Sequence, residues 1–117
     1  MRVDLPWPPT ALWPNRRVHR MQQYAAQRKF RADAGIAARA GGLRQIEADG
    51  LHVTITFQPP DMRRRDTDNM LAAIKSGLDG IADVIGVDDS RWSLTLRRDA
   101  PVRGGNVAVQ IETGGAG

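Results

Sequence analysis

Six aspartates, one lysine and three arginines lie within residues 63–89. The stretch begins with RRRDTDN at 63–69 and ends with Asp88 and Asp89. Carboxylates contributed by different elements are the oxygen ligands that Mg²⁺ takes, and a bound magnesium ion can stabilise charge on a phosphate and activate a water molecule. A nearby lysine could orient that water or stabilise the transition state, and the three arginines would hold phosphate groups. Residues of these types would suit metal-dependent chemistry on a phosphate.

An amphipathic helix predicted over residues 68–85 positions most of these groups. Its apolar residues recur at three- and four-residue spacing and form one stripe, Leu71, Ile74, Leu78, Ile81 and Ile85. Asp68, Lys75 and Asp79 fall within about 20° of one line, roughly 100° from the stripe; we call them the charged ridge. Asp66 lies just upstream. After Gly86 the Asp88-Asp89 turn could fold back towards the ridge.

Each of these features also has an ordinary structural interpretation. Asp68 could cap the helix, with Asp66 favoured nearby by the helix dipole. Lys75 and Asp79 could form a solvent-facing i,i+4 ion pair. Asp88 and Asp89 could be turn residues. Spacing alone leaves these alternatives open.

The part of the chain before the acidic stretch predicts two strands and one further helix. Residues 1–9 alternate and then reach three prolines, which is typical of an edge strand that runs into a rigid turn. A basic helix is predicted over 15–39, with Asn15 as N-cap and Gly41-Gly42 after its end. Residues 51–58 alternate strictly, as a half-buried strand does.

Two final alternating segments complete the predicted fold. They are centred on Trp92, Leu94 and Leu96 and on Val107, Val109 and Ile111, and the turn at 103–105 predicts that they form a hairpin. The order is β-α-β-α-β-β. It predicts an α+β fold in which two helices pack on one face of a small mixed sheet of about four strands. We expect one domain over 1–113 and a flexible tail over 114–117.

Composition excludes several classes of protein. The 117 residues contain no cysteine, so disulfide frameworks, cysteine-based zinc sites and thiol catalysis are ruled out. No apolar run suits a membrane span, so we expect no membrane partner and a cytoplasmic location. The net charge of +4 conceals a division. Residues 66–89 hold six acids against one base (−5), and the rest holds 16 bases against seven acids (+9). A basic body of this kind favours nucleic acid as partner.

These residues together resemble a known family. The segment Leu5-Pro6-Trp7-Pro8-Pro9, the RRRDTDN motif, the helix after it and Asp88-Asp89 are similar to the RusA family of Holliday junction resolvases. The likeness runs over nearly the whole chain. The segments PNRRVH at 14–19 and KSGLDGIADVIGVDD at 75–89 resemble the phage-type branch of that family.

The resemblance implies a homodimeric, magnesium-dependent endodeoxyribonuclease, with Mn²⁺ as a substitute metal. Such an enzyme cleaves four-way and related branched DNA by paired phosphodiester hydrolysis in recombination and repair, inside a bacterial or phage-infected bacterial cell. The family's metal-binding aspartates correspond to Asp66, Asp68 and Asp89, and Asp88 is a neighbouring candidate. An arginine that contributes to DNA binding in the family corresponds to Arg65.

One position departs from the family pattern. The family's essential lysine lies four residues after the second aspartate, where this chain has Ala72. Lys75 lies within about 60° of that position on a helix, and we expect it to replace the lysine from further along. The alternative is a branched-DNA-binding protein of the same fold with weakened cleavage, and another is a small metal-free nucleic-acid-binding protein.

Other residues have two interpretations each. The basic residues of the first helical segment, including Arg16, Arg17 and Arg20, could follow a phosphate backbone or form a solvated surface. Trp7, Trp13 and Trp92 are expected to anchor the core or an interface rather than to stack on bases.

Overall fold

A computed structural model describes residues 1–14 and 16–113. Its strands are β1 (Arg2–Leu5), β2 (Leu51–Gln58), β3 (Trp92–Arg98) and β4 (Asn106–Thr113). Its two long helices are α1 (Arg20–Ala40) and α2 (Thr67–Ile85), and short 3-10 helices span Thr10–Leu12 and Asp89–Arg91. The predicted α+β class, with a four-stranded mixed sheet and two helices, is confirmed.

The strand order in the sheet is β1-β4-β2-β3. Strand β2 pairs parallel with β3 and antiparallel with β4, and β1 pairs antiparallel with β4. The predicted hairpin of the last two strands is therefore wrong, because β2 lies between them. The connection from β3 to β4 crosses the end of β2 instead. There the amides of Asp99 and Val102 donate to the carbonyls of Phe57 (3.0 Å) and Pro59 (2.9 Å). The first strand lies at an edge of the sheet, as its prolines predict.

Alternation along the strands decides which face of the sheet is covered. Leu51, Val53, Ile55 and Phe57 of β2 are buried, and their cross-strand neighbours on β1 and β4 join them in one apolar core with the two helices. The apolar residues of β3, Trp92, Leu94 and Leu96, share this face by register, yet Leu94 is 43% exposed at the sheet edge. The opposite face carries polar residues, among them His52, whose ring nitrogens lie 2.7 Å from Ser93 Oγ and 2.8 Å from Thr95 Oγ1.

The helix boundaries follow local capping. Helix α1 begins at Arg20, where His19 Nδ1 accepts from the Met21 amide at 3.1 Å, and it ends before Gly41. The predicted N-cap Asn15 and the tail 114–117 lie outside the described residues. Helix α2 ends at Gly86, whose φ of 75° is the left-handed conformation that glycine adopts without strain. No helix in the described ranges is long and apolar enough to cross a membrane.

Close packing against α1 fixes the position of α2. A Cβ on Gly80 would lie 2.1 Å from the Arg31 carbonyl oxygen, and one on Gly77 would lie 2.6 Å from the Phe30 ring. Only glycine permits this approach. The apolar stripe of α2 is buried apart from the half-buried Leu71, so the charged ridge beside it is held at a defined place on the surface.

Candidate functional site

Lys75 joins two carboxylates from different parts of the chain. Its Nζ donates to Asp79 Oδ1 at 2.6 Å, one helical turn further on, and to Asp89 Oδ2 in the 3-10 helix after α2. We call Lys75, Asp79 and Asp89 the lysine cluster. The i,i+4 pairing of Lys75 with Asp79 and the return of the Asp88-Asp89 turn towards the ridge are both present. Lys75 is about half exposed, whereas the two aspartates are about 30% exposed.

The two carboxylates keep Lys75 charged. Partial burial disfavours the ammonium form, but the hydrogen bonds that Lys75 donates to Asp79 and Asp89 outweigh it, and the pKa of Lys75 lies above its ordinary value. Lys75 is therefore a fixed cation at neutral pH, suited to stabilising negative charge and unsuited to accepting a proton.

The other predicted aspartates lie at the two ends of α2. Asp66 occupies the N-cap position, but its side chain makes no capping hydrogen bond. Asp68 is exposed in the first turn. Asp88 accepts from the Ser90 amide at 3.0 Å and caps the short helix 89–91, and the hydrogen bonds from Ser90 lower its pKa. Asp88 thus has the turn role that its position allows.

A cleft of about 640 Å³ opens beside the N-terminus of α2. We call it the basic cleft, because four arginines line it, Arg16, Arg63, Arg64 and Arg65, together with Asp61 and Asp66. Trp7 and Trp13 form its aromatic wall, with ring centroids 5.8 Å apart and planes tilted by 37°. Both tryptophans also pack against the core, as predicted for anchors.

Arg65 is the least exposed arginine of the basic cleft. Its side chain is 12% exposed, and its guanidinium lies 3.0 Å from Asp61 Oδ1 and 5.3 Å from the centre of the Trp7 ring. The hydrogen bond from Arg65 lowers the pKa of Asp61. Arg98 donates at 2.6 Å to the Arg65 carbonyl and at 3.1 Å to Thr67 Oγ1, and so ties the loop to β3. Arg65 therefore organises the basic cleft and is itself already paired.

The basic residues of the first helical segment divide into two groups. Arg31 forms two 2.8 Å hydrogen bonds with Asp83 on α2, and Lys29 pairs with Asp33 at 2.6 Å. These contacts stabilise the helices and occupy their cations. Arg17 and Arg20 are exposed, outside the lining of the basic cleft. Of the three arginines predicted to bind DNA in this segment, only Arg16 lines the basic cleft.

The chain has a relative among known proteins. It is 40% identical over 113 residues to an uncharacterized protein of Xylella fastidiosa, and the match covers 93% of this chain and 74% of that protein. The chain belongs to the family of that protein. No family model matches this chain. Because the matched region covers 93% of this chain, the family extends over nearly all of the fold described above, not over a short motif alone.

The donor set suits magnesium in chemistry, but it is not assembled in this fold. Asp66 and Asp68 offer carboxylate oxygens, and Mg²⁺ is usually held by one or two carboxylates plus waters and substrate phosphates. Within 1–14 and 16–113, no three acidic or histidine side chains come together as a metal-binding group. The helix explains the separation. Lys75, which holds Asp89, lies seven residues after Asp68, about 10 Å along the axis.

Two features of the site were not among the predicted functional residues. Asp79 was noted only as a ridge residue and salt-bridge partner, whereas it shares Lys75 with Asp89. The tryptophans of the aromatic wall are expected from the sequence to anchor the core or an interface, not to line a cleft. The PWPP segment signalled a rigid turn, but only the tertiary fold brings that turn against the arginine loop.

Proposed function

We propose that this protein is a magnesium-dependent, structure-selective endodeoxyribonuclease of the RusA kind, which resolves four-way and related branched DNA. The single observation that carries the proposal is the contact of Asp89 with Lys75 on helix α2, whose N-cap is Asp66 and whose first turn contains Asp68. An ordinary turn would not need to return its carboxylate to that ridge. The family resemblance of the motifs supports the same reaction.

The two parts of the site would do different work. The exposed arginines of the basic cleft would hold backbone phosphates. Lys75, fixed as a cation by its two carboxylates, would stabilise the charge that grows on the phosphate oxygens. Asp79 would keep Lys75 in place when Asp89 turns to other ligands. Asp66 and Asp68, joined by Asp89 once Asp89 leaves Lys75, would hold a magnesium ion, which would supply Lewis acidity and an activated water.

A homodimer suits the proposed substrate. A four-way junction has two equivalent strands to cut, and an isologous dimer provides two sites related by the same two-fold symmetry. Such a protein would act on DNA in the cytoplasm of a bacterial or phage-infected bacterial cell.

The experiment is a cleavage assay on a synthetic four-way junction. The wild type and Asp68→Asn are compared in magnesium, with Asp33→Asn as a matched control, because Asp33 is also an exposed helical aspartate. The wild type and the control should nick the junction in paired positions, and Asp68→Asn should bind it without cutting. Equal cleavage by Asp68→Asn would refute the assignment.

A second candidate function has its own supporting observation. Ala72 stands where the RusA family has a lysine. Asp89 contacts Lys75 and is not grouped with Asp66 and Asp68. This favours a branched-DNA-binding protein with weakened cleavage. A wild-type protein that shifts the junction in a gel but never nicks it, in magnesium or manganese, would select this candidate.

A further inference from the structure

The basic cleft has more positive charge than its own contacts use. Asp61 is paired with Arg65, which leaves Arg16, Arg63 and Arg64 opposite the single carboxylate of Asp66. None of these three guanidinium groups forms an ion pair with a described residue. An anion in the cleft would therefore gain charge-assisted hydrogen bonds without displacing an existing partner.

The aromatic wall is held by contacts to neighbouring residues and is partly open. Trp13 is half-buried, and its Nε1 donates to the Pro8 carbonyl at 3.2 Å, which fixes the ring plane. Trp7 is confined on one side by Gly105, where a Cβ would lie 2.7 Å from the Trp7 Cβ, and Arg65 lies over its ring. Trp13 is therefore the ring better placed to receive a ligand.

A flat aromatic surface beside unpaired arginines matches the chemistry of a nucleotide. Every base has a π-face that can stack on an aromatic ring, and the attached phosphate suits a guanidinium. In a continuous duplex the base faces are covered by their neighbours, so only an unstacked base could reach the wall. The basic cleft should thus distinguish opened strands from paired ones.

We propose that the basic cleft binds one unstacked nucleotide of a DNA strand, with its base stacked on Trp13 and its phosphate held by Arg63 and Arg64. This inference deepens the nuclease function proposed above and rests on it for the choice of DNA as ligand. Since Asp66 lines the same cleft, the bound nucleotide would lie next to the proposed metal ligands. Local opening of the strand would then be part of substrate recognition.

Binding of single-stranded DNA in the absence of divalent metal tests the inference. The probe is an oligothymidylate of roughly 12 nucleotides, compared with its duplex in EDTA. Tryptophan fluorescence is read in a Trp92→Phe background, so that the signal comes from Trp7 and Trp13. Trp92 is a matched control, since its indole also donates to a carbonyl five residues earlier, at 3.0 Å.

The single strand should quench this fluorescence and bind more tightly than the duplex. Trp13→Leu should weaken single-strand binding roughly 5- to 150-fold, Trp13→Phe should retain most of it, and Trp92→Leu should leave it unchanged. If Trp13→Leu does not fold, the quenching in the Trp92→Phe protein and the affinity of Trp13→Phe still test whether a base stacks on Trp13.

Three results would overturn the inference. They are absence of quenching, equal affinity for single strand and duplex, and a Trp13→Phe loss as large as that of Trp13→Leu, which would make the indole hydrogen bond the important feature. Because no metal is present, these results are independent of cleavage. A protein that binds single strands through Trp13 but never nicks a junction refutes only the nuclease proposal.

Discussion

The lysine cluster and the basic cleft lie about two helical turns apart along α2 and differ in how their charges are satisfied. In the lysine cluster, one cation is held by two carboxylates. In the basic cleft, Arg65 is paired with Asp61, while Arg16, Arg63 and Arg64 have no ion-pair partner among residues 1–14 and 16–113. The cation of the lysine cluster is thus fully paired, whereas three cations of the basic cleft are available to a ligand.

Under the proposed function, this difference corresponds to a division between recognition and chemistry. Unpaired surface cations raise affinity for any phosphate backbone and make binding depend on salt. A cation held in place by neighbouring carboxylates contributes little to binding, but it is already oriented for a charged transition state. Removing residues from each region should therefore change different measurements.

The largest effect is expected from Lys75→Ala. Loss of the fixed cation should reduce junction cleavage at saturating magnesium by about 10²–10³-fold, with little change in DNA affinity. Lys29→Ala is the matched control, because Lys29 forms the same i,i+4 pair with Asp33 but has no second carboxylate partner in the part of the chain that the structure describes. Intact cleavage in Lys75→Ala would show that Lys75 does not replace the lysine absent at Ala72.

The double variant Arg63→Gln/Arg64→Gln tests the other region. It should weaken binding to all DNA sequences alike and lower the slope of log affinity against log salt by about 1 for each arginine. The rate of cleavage at saturating DNA should stay near that of the wild type. Arg39→Gln/Arg44→Gln removes the same charge elsewhere and should leave the slope nearly unchanged. Equal slopes for both double variants would place the phosphate contacts outside the basic cleft.

A smaller effect is expected from Asp79→Asn. Lys75 would keep Asp89 but lose the carboxylate that holds it to the helix, so cleavage should fall several-fold while affinity for the junction is unchanged. Asp79→Glu should restore part of the rate. The same loss in Asp33→Asn, which breaks the matched pair on α1, would mean that helix stability and not the placement of Lys75 is responsible.

The smallest effect concerns stability at alkaline pH. Because the folded-state pKa of Lys75 lies above its ordinary value of 10.5, its ion pairs stabilise the fold fully below about pH 10.5 and lose that effect as pH rises through the folded-state pKa. Lys75 is half exposed, so the contribution is about 0.5 kcal/mol or less. Urea unfolding should show Lys75→Met less stable than the wild type at neutral pH and equally stable above that pKa. A constant difference would contradict this.

Local patterns predicted the elements well because their causes are local. The stripe of α2 follows from 3.6-residue periodicity, and β2 matches the alternating segment 51–58. Alternation also assigned the faces of β3 and β4. Alternation could not show which strands pair with each other, since β3 and β4 would have the same pattern in a hairpin as on either side of β2. Hydrogen bonds from the 99–105 connection to the end of β2 decide that question.

The candidate site was predictable only in part. Helix spacing placed Lys75 beside Asp79, and the turn after Gly86 explained how Asp89 returns to them. The distance of Asp68 from the lysine cluster follows from helix rise, yet the pattern of charges suggested that the carboxylates would gather. The aromatic wall depends on contacts of the 7–13 segment with residues 60–66, which no local pattern reveals.

The division between recognition and chemistry is tested most directly by measuring affinity and single-turnover cleavage of one four-way junction for three proteins side by side. They are the wild type, Asp68→Asn and Arg63→Gln/Arg64→Gln. We expect Asp68→Asn to bind like the wild type without cutting, and the arginine variant to bind weakly but to cut at a normal rate once saturated. A joint loss of affinity and cleavage in both variants, or cleavage by Asp68→Asn, would contradict a division between recognition and chemistry.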